Sequence, residues 1–316
     1  MKKLLLVPLL AVLLLTLVII WFYINAQPVN SDKGFKNFLI TKGSSASQIG
    51  AKLESEGFVK NALVFKIYLK FTGRAGSIQT GEFRLTPSFS LFQTVDQLFR
   101  GPEEVWVVIP EGLRREEIAA RFTSGLERDA TFTAEFLDAS KGKEGTLFPD
   151  SYLFPKDVAA STIVAKMVST FESKTVDLKL TNGLAFDQSV ILASILERET
   201  KTDAERPVVS GILMNRLNAG MPLQVDASVQ YAVGTSRDWW PILSLADLKI
   251  NSAYNTYEHQ GLPPAPIANP GFSSLRAAFD PSQTDYFYYI HDSTGQIHYA
   301  KTLVEHNANV AKYLKK

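Results

Sequence analysis

The hydrophobic pattern is simplest at the start of the chain. Lys2 and Lys3 precede an uncharged run from Leu4 to Ile24, 21 residues long. As a helix, that run extends about 31 Å, the thickness of a bilayer core. Trp21 and Tyr23 stand at its far end, where amphipathic rings favour the interface, and the lysines at the near end favour a cytoplasmic N-terminus. Residues 1–24 therefore read as a cytoplasmic tip and one transmembrane helix. A cleaved signal peptide is the weaker reading, because the apolar stretch is long and no clear A-x-A site follows. Residues 25–36 are polar, contain Pro28 and Gly34, and read as a linker.

From residue 37 to 104 the pattern predicts a small α/β unit. Phe38-Leu39-Ile40 reads as a short strand. Ser45 to Glu56 reads as a capped helix with Ile49 and Leu53 at helical spacing, stopped by Gly57. Ala62 to Phe71 is a second helix. Gly81 to Leu85 alternates like a strand, and Ser90 to Arg100 is a helix capped by Ser90 and stopped by Gly101-Pro102. Residues 105–316 follow as a mixed α+β domain. It begins with a β-branched strand, Val105 to Ile109, and helices over Arg114 to Phe122 and Thr131 to Ala139. Glu144 to Pro155 is aromatic and proline-rich and reads as a structured loop. Asp187 to Thr200 is a strong, almost uniformly apolar helix with Asp187 as its cap. Pro207 suits the first turn of the next helix, which stops at Gly220. Tyr286 to Ile290 is a late aromatic strand, and His306 to Leu314 a closing helix. The fold class is α+β.

Charge and composition narrow the chemistry. With 33 basic and 32 acidic residues the net charge is +1, which is not the basic footprint of a nucleic-acid binder. A neutral polymer or a small ligand fits better. There is no cysteine, so disulfides, thiolate metal sites, thiol nucleophiles and lipidation at cysteine are all excluded. The four histidines form no ligand-spaced motif. No metal and no cofactor is expected.

Glu197 is a candidate for acid chemistry, although the helix pattern alone favours a structural ion pair. It lies near the end of the apolar helix, one turn after Ala193 and Ser194. Desolvation there raises a carboxyl pKa and favours a form that can donate a proton. The competing reading is a glutamate paired with Arg198 or Lys201. Glu199, Asp203, Glu205 and Asp226 are also close in sequence, and hydrolytic glycosidases need two carboxylates. Glu199 points about 200° around the helix from Glu197.

Ile191 to Thr200 (ILASILERET) resembles the catalytic helix of the YceG-like, or MltG, endolytic murein transglycosylases. The similarity continues through Glu205-Arg206, Asn215-Arg216-Leu217 and Met221 to Asp226. It resumes at Leu245 to Leu248, Ser252 to Tyr257, Gly261 to Pro264, Pro266 to Gly271 and His306-Asn307. Upstream, Glu144 to Tyr152 resembles the family's EGxLFPDTY segment, with Ser151 in place of Thr. There are two departures. Asp226 is followed by Ala227-Ser228 where the family usually has Pro-Thr, and His298-Tyr299 stands where a phenylalanine two places after His is commoner.

The resemblance implies a single N-terminal membrane helix, a LysM-like subdomain at 37–104 and a catalytic domain at 105–316. The implied activity is endolytic, non-hydrolytic cleavage between N-acetylmuramic acid and N-acetylglucosamine in nascent peptidoglycan. Such cleavage leaves 1,6-anhydro ends and terminates strand elongation outside the inner membrane. Glu197 is then the proton donor, with Gln224, Asp226, Tyr254, Asn255 and Glu205 as candidates for holding sugar or stabilising charge, by motif position. Peptidoglycan strands are the implied partner, together with peptidoglycan synthases of the same membrane. The alternatives are a hydrolytic muramidase and a membrane-anchored, non-catalytic peptidoglycan-binding scaffold.

Overall fold

The computed structural model describes residues 2–41, 43–74 and 78–314, with side chains from residue 9 onward. The Lys2-Lys3 flank of the expected anchor lies outside the described side chains. The chain is mixed α+β and divides into two compact units, Met1–Trp106 with Leu153–Val158, and Val107–Tyr152 with Ala159–Lys316.

The first unit opens with α1 (Lys2–Ala26). Its window Leu9–Ala26 has a mean hydropathy of 2.5, long and apolar enough to cross a membrane. From Leu9 on, its leucines, isoleucines and valines are exposed, as a lipid-facing surface requires. Strand β1 (Lys36–Ile40) then pairs antiparallel with β2 (Gly81–Leu85), placing Phe38 opposite Phe83. Between them run α2 (Ala46–Ser55) and α3 (Ala62–Phe71), and α4 (Leu91–Arg100) follows β2. Helices α2 and α4 begin as the sequence predicts. Ser45 and Ser90 each accept from the backbone N–H three residues on, while Gln48 and Gln93 reach back to the cap N–H. The core of this unit is built on Phe38, Phe58, Phe65 and Phe83, all essentially inaccessible.

Strands β3 (Glu104–Val108) and β4 (Ser151–Pro155) form a second two-stranded sheet. Strand β4 corrects the expectation of a loop over Glu144–Pro155 at its last five residues, while residues 144–150 are turn and loop as expected. Tyr152 and Phe154 turn inward while Ser151 and Leu153 turn out, so aromatic residues at alternate positions make a strand there, and Pro155 ends it.

The second unit is mostly helical, with α5 (Arg115–Gly125), α6 (Ala130–Ala139) and α7 (Ala160–Thr175) leading to α8 (Phe186–Glu199). Helix α8 is buried around nearly its whole circumference from Ser189 to Leu196, which explains its almost continuous apolar sequence. Its N-cap is Ala185, not Asp187. The Gln188 side chain accepts from the Ala185 N–H at 3.0 Å, and Asp187 sits inside the first turn. Helices α9 (Arg206–Asn218) and α11 (Phe272–Phe279) pack on α8, while the short α10 (Asp226–Val233) touches its C-terminal part. The hairpin β5 (Tyr288–His291)–β6 (Ile297–Ala300) and α12 (Leu303–Tyr313) close the unit.

Gly211 of α9 marks a close backbone approach. A Cβ there would stand 2.1 Å from the Ser282 carbonyl oxygen. We expect Gly211→Ala to push the 281–284 segment off α9 and to cost about 1–3 kcal/mol, measured by thermal unfolding.

Candidate active site

Two glutamates at the end of α8 face different surroundings. Glu197 is enclosed, with its side chain only 6% exposed. Its Oε1 pairs with Arg206 Nη2 at 3.3 Å, and its Oε2 accepts the Gly271 N–H at 2.9 Å. Arg206 also bonds Asp203. Glu111 completes this group. Burial, followed by the charge of Glu197, raises its pKa. The arrangement ties the C-terminal end of α8 to the first turn of α9 and to the start of α11.

Glu199 lies on the other side of the helix, as the angular offset predicts. It lines an open cleft of about 370 Å³ with Arg216, Leu223, Gln224, Asp226, Tyr257, Tyr289, Ile290 and His306. Tyr289 donates to Glu199 Oε2 at 2.8 Å. Burial is the largest influence on Glu199 and raises its pKa. The Asp226 carboxylate pushes it further up, against the lowering effects of Tyr289, the Ala227 amide and His291. Asp226 itself accepts from Tyr257 OH at 2.5 Å. The cleft thus holds one desolvated carboxyl biased toward its protonated form beside a second carboxylate, each oriented by a tyrosine.

Gln224 is held in the left-handed region at φ 51°, sparsely populated for a residue with a Cβ. Its neighbours fix it there. Arg216 Nη1 binds the Leu223 carbonyl at 2.8 Å, and the Gln224 and Val225 amides bond Thr256 at 3.1 and 2.9 Å. The Gln224 side chain is exposed. Strain of this kind at the edge of a cleft marks a position whose direction matters. Where the family usually has Pro-Thr, Ala227 and Ser228 lie in the first turn of α10. Ser228 Oγ bonds the Val225 carbonyl at 2.7 Å, so the turn is closed by a side chain.

The structure therefore brings Gln224 and Asp226 together with Glu199 rather than with Glu197. Three other expected contacts lie elsewhere. Asn255 is inaccessible, with Nδ2 donating to the Leu248 and Ile250 carbonyls and Oδ1 accepting from the Tyr257 N–H, so it shapes the loop that carries Tyr257. Glu205 is tied to His291 at 3.0 Å and to the Lys201 N–H at 3.1 Å. Tyr254 lies tilted against the Tyr231 ring, centroids 4.9 Å apart, next to Glu144. Glu199, Tyr257, Tyr289, Arg216 and His306 are the cleft residues that the sequence reading passed over. Four of them, Glu199, Arg216, Tyr257 and His306, sit inside the motifs that carry the resemblance, and Tyr289 lies outside them.

Glu144 anchors a separate network. It accepts from the Arg115 N–H at 3.1 Å and from Asn269 Nδ2 at 2.6 Å. Asn269 Oδ1 in turn accepts from the Gly145 and Leu147 amides, both at 2.9 Å. Burial, then Glu116, raises the Glu144 pKa to about 7. The folded chain therefore binds a proton that the unfolded chain releases near pH 4.5, so stability falls as pH rises from about 4.5 to 7. We expect Glu144→Gln to flatten that part of the Tm–pH curve, as read by calorimetry across pH 4–8. An unchanged slope would exclude Glu144 as its source.

The aromatic loop expected at Asp238-Trp239-Trp240 is pinned by cations. Arg114 lies 4.1 Å from the Tyr231 ring and 4.7 Å from Trp239, and Arg198 lies 3.8 Å from Trp240. Trp240 Nε1 donates to Glu117 at 3.0 Å. Among the described residues, no group of three or more acidic, histidine or cysteine side chains is placed to hold a metal ion.

Comparison with known proteins agrees with this arrangement of elements. The YceG-like family model matches residues 38–312. A Bacillus subtilis (strain 168) protein named endolytic murein transglycosylase is 32% identical over 91% of this chain and 88% of its own length. A Streptococcus pneumoniae (strain D39) protein of the same name is 27% identical over 91% of this chain, which spans 60% of that longer protein. The crystal structure of a putative YceG-like protein from Listeria monocytogenes superposes with a TM-score of 0.54 at 29% identity, covering 87% of this chain and 99% of that one. By the extent of the family match and the identity to the Bacillus protein, the chain belongs to the YceG-like family.

Proposed function

We propose that this chain is a membrane-anchored endolytic lytic transglycosylase of peptidoglycan whose proton donor is Glu199. The observation that carries the reading is the desolvated Glu199 carboxyl in an open cleft, with Asp226 beside it and Tyr289 bonded to it. The relatives named endolytic murein transglycosylase supply the substrate class.

In this reading Glu199 donates its proton to the glycosidic oxygen as the bond between N-acetylmuramic acid and N-acetylglucosamine breaks. The Asp226 carboxylate faces the positive charge that develops on the sugar, while burial, helped by the Asp226 charge, biases Glu199 toward its protonated form beforehand. Glu199, now a carboxylate, takes the proton from the muramic 6-hydroxyl. That hydroxyl closes on the anomeric carbon and leaves a 1,6-anhydro end. The nucleophile belongs to the substrate, so its proximity is built in. Glu197 holds α8, α9 and α11 in register and takes no part in proton transfer.

Helix α1 suits a single-pass anchor in the inner membrane, with the cleft on the outer side, where nascent strands and their synthases are met. The β1–α2–α3–β2 unit, with its antiparallel pair, suits the LysM-like role in holding glycan. Cleavage of nascent strands from such a position would terminate their elongation.

A second reading, hydrolysis by a muramidase, draws on one observation: Asp226 shares the cleft with Glu199, and paired carboxylates also serve to activate water. Digestion of uncross-linked strands by the detergent-solubilised full chain separates the readings, with new ends identified by mass spectrometry. Anhydro-muramic ends are expected. Reducing muramic ends would make water the nucleophile, and binding without cleavage would make the chain a scaffold.

A further inference from the structure

Arg216 stands apart from the other groups in the Glu199 cleft. Its residue surface is 8% exposed. Nε donates to the Phe287 carbonyl at 2.7 Å and Nη1 to the Leu223 carbonyl at 2.8 Å. Both acceptors are neutral, and Nη2 makes no hydrogen bond among the described residues. Among the described residues Arg216 has no ion-pair partner, whereas Arg206, on the same helix, has two.

Next to it, the Tyr288 ring lies 5.0 Å from the Arg216 guanidinium, and the His306 ring lies 5.2 Å from Tyr288. His306 Nδ1 is buried with no partner, which leaves Nε2 as the nitrogen available to the cleft that the ring lines. Burial and the Arg216 charge lower the His306 pKa, which favours the neutral ring. The cleft therefore carries two acidic groups, Glu199 and Asp226, together with a guanidinium that makes no ion pair among the described residues and a ring nitrogen.

A guanidinium taken out of water without a counter-charge is costly, and the cost is recovered only when an anion arrives. The planar fork of arginine matches a carboxylate better than any neutral sugar group.

We infer that the Arg216–His306 wall binds a carboxylate of the substrate, carried on the substituent of the sugar next to the scissile bond. The inference rests on the proposed function and narrows its substrate. Strands whose peptide stems keep free carboxylates are cut in preference to the same strands with those groups converted to neutral carboxamides. Arg216 is thus a specificity residue as well as a brace for Gln224.

The test compares kcat/KM for uncross-linked strands with free stem carboxylates and for the same strands amidated with carbodiimide and ammonia. The full chain is assayed as wild type, Arg216→Gln, Arg216→Lys and His306→Ala. A hydrogen-bonded charge of this kind gives a preference for the free-acid strands of about tenfold or more. The ratio is expected to collapse toward one in Arg216→Gln, to survive in part in Arg216→Lys, and to fall several-fold in His306→Ala. A purely structural role would lower both substrates together and leave the ratio unchanged. Equal cleavage of both strands by wild type overturns the inference while leaving the proposed function intact. A preserved ratio in folded Arg216→Gln also overturns it, and if that variant does not fold, a preserved ratio in His306→Ala does so. Absence of cleavage on every strand would instead strike at the proposed function itself.

Discussion

Glu199→Gln is expected to lower kcat on uncross-linked glycan by roughly 10³-fold or more, because it removes the proton donor of the proposed step and the base that takes the proton back. The same substitution is expected to leave Tm unchanged or slightly raised. Glu199 lies where burial and the neighbouring Asp226 disfavour its charged form, so a neutral amide of the same shape suits the folded state at least as well. Glutamine can still accept from Tyr289 OH through its carbonyl oxygen. Loss of activity without loss of stability is the signature of a residue kept for chemistry. It is read by initial rates and calorimetry on one preparation.

Arg206→Ala is expected to show the reverse signature, dominated by stability. Arg206 is the cation between Glu197 and Asp203, and the Glu197 side chain is almost wholly enclosed. Removing one partner of a buried pair leaves the other charge without compensation, which costs about 3–5 kcal/mol. For a unit of this size the corresponding fall in Tm is roughly 10 °C. Glu111 enlarges the effect, since the Glu197 charge already raises its pKa while Arg206 opposes that rise. The variant should regain part of its stability as pH is lowered and the freed carboxylates take up protons. Equal Tm values for wild type and variant at neutral pH would show that the pair does not hold α8 to α9.

The two predictions meet at the point where the sequence was least legible. Elements with strong local signals were readable: the apolar run of α1, the serine-capped helices α2 and α4, strand β2 with its alternating pattern, and α8 with its long apolar stretch. Strand β4 was missed because its aromatic and proline content mimics a loop. Helix α10 was missed because its eight residues follow a left-handed Gln224 and have no side-chain cap.

The site was legible as a set of motifs but not as a geometry. An all-round buried helix gives no periodic signal for which face carries chemistry, so the sequence pointed to Glu197 while the fold sets Glu199 in the cleft. The neighbours that decide between them come from far along the chain. Tyr289 meets Glu199 from β5, and Arg206 and Gly271 meet Glu197 from α9 and the start of α11. Asn255 illustrates the same limit. Its place within a motif suggested a sugar contact, yet its amide is used entirely to fold the Tyr257 loop. The angular argument was sound in one respect: the 200° offset sends the two glutamates to opposite surroundings.

The assignment of the proton donor is tested most directly by Glu197→Gln, assayed beside Glu199→Gln for new anhydro-muramic ends at a temperature where both variants are folded. The account predicts that Glu197→Gln, though less stable, keeps generating those ends at a substantial fraction of the wild-type rate, while Glu199→Gln generates none. Anhydro ends from Glu199→Gln and none from folded Glu197→Gln would contradict it and return the catalytic role to Glu197.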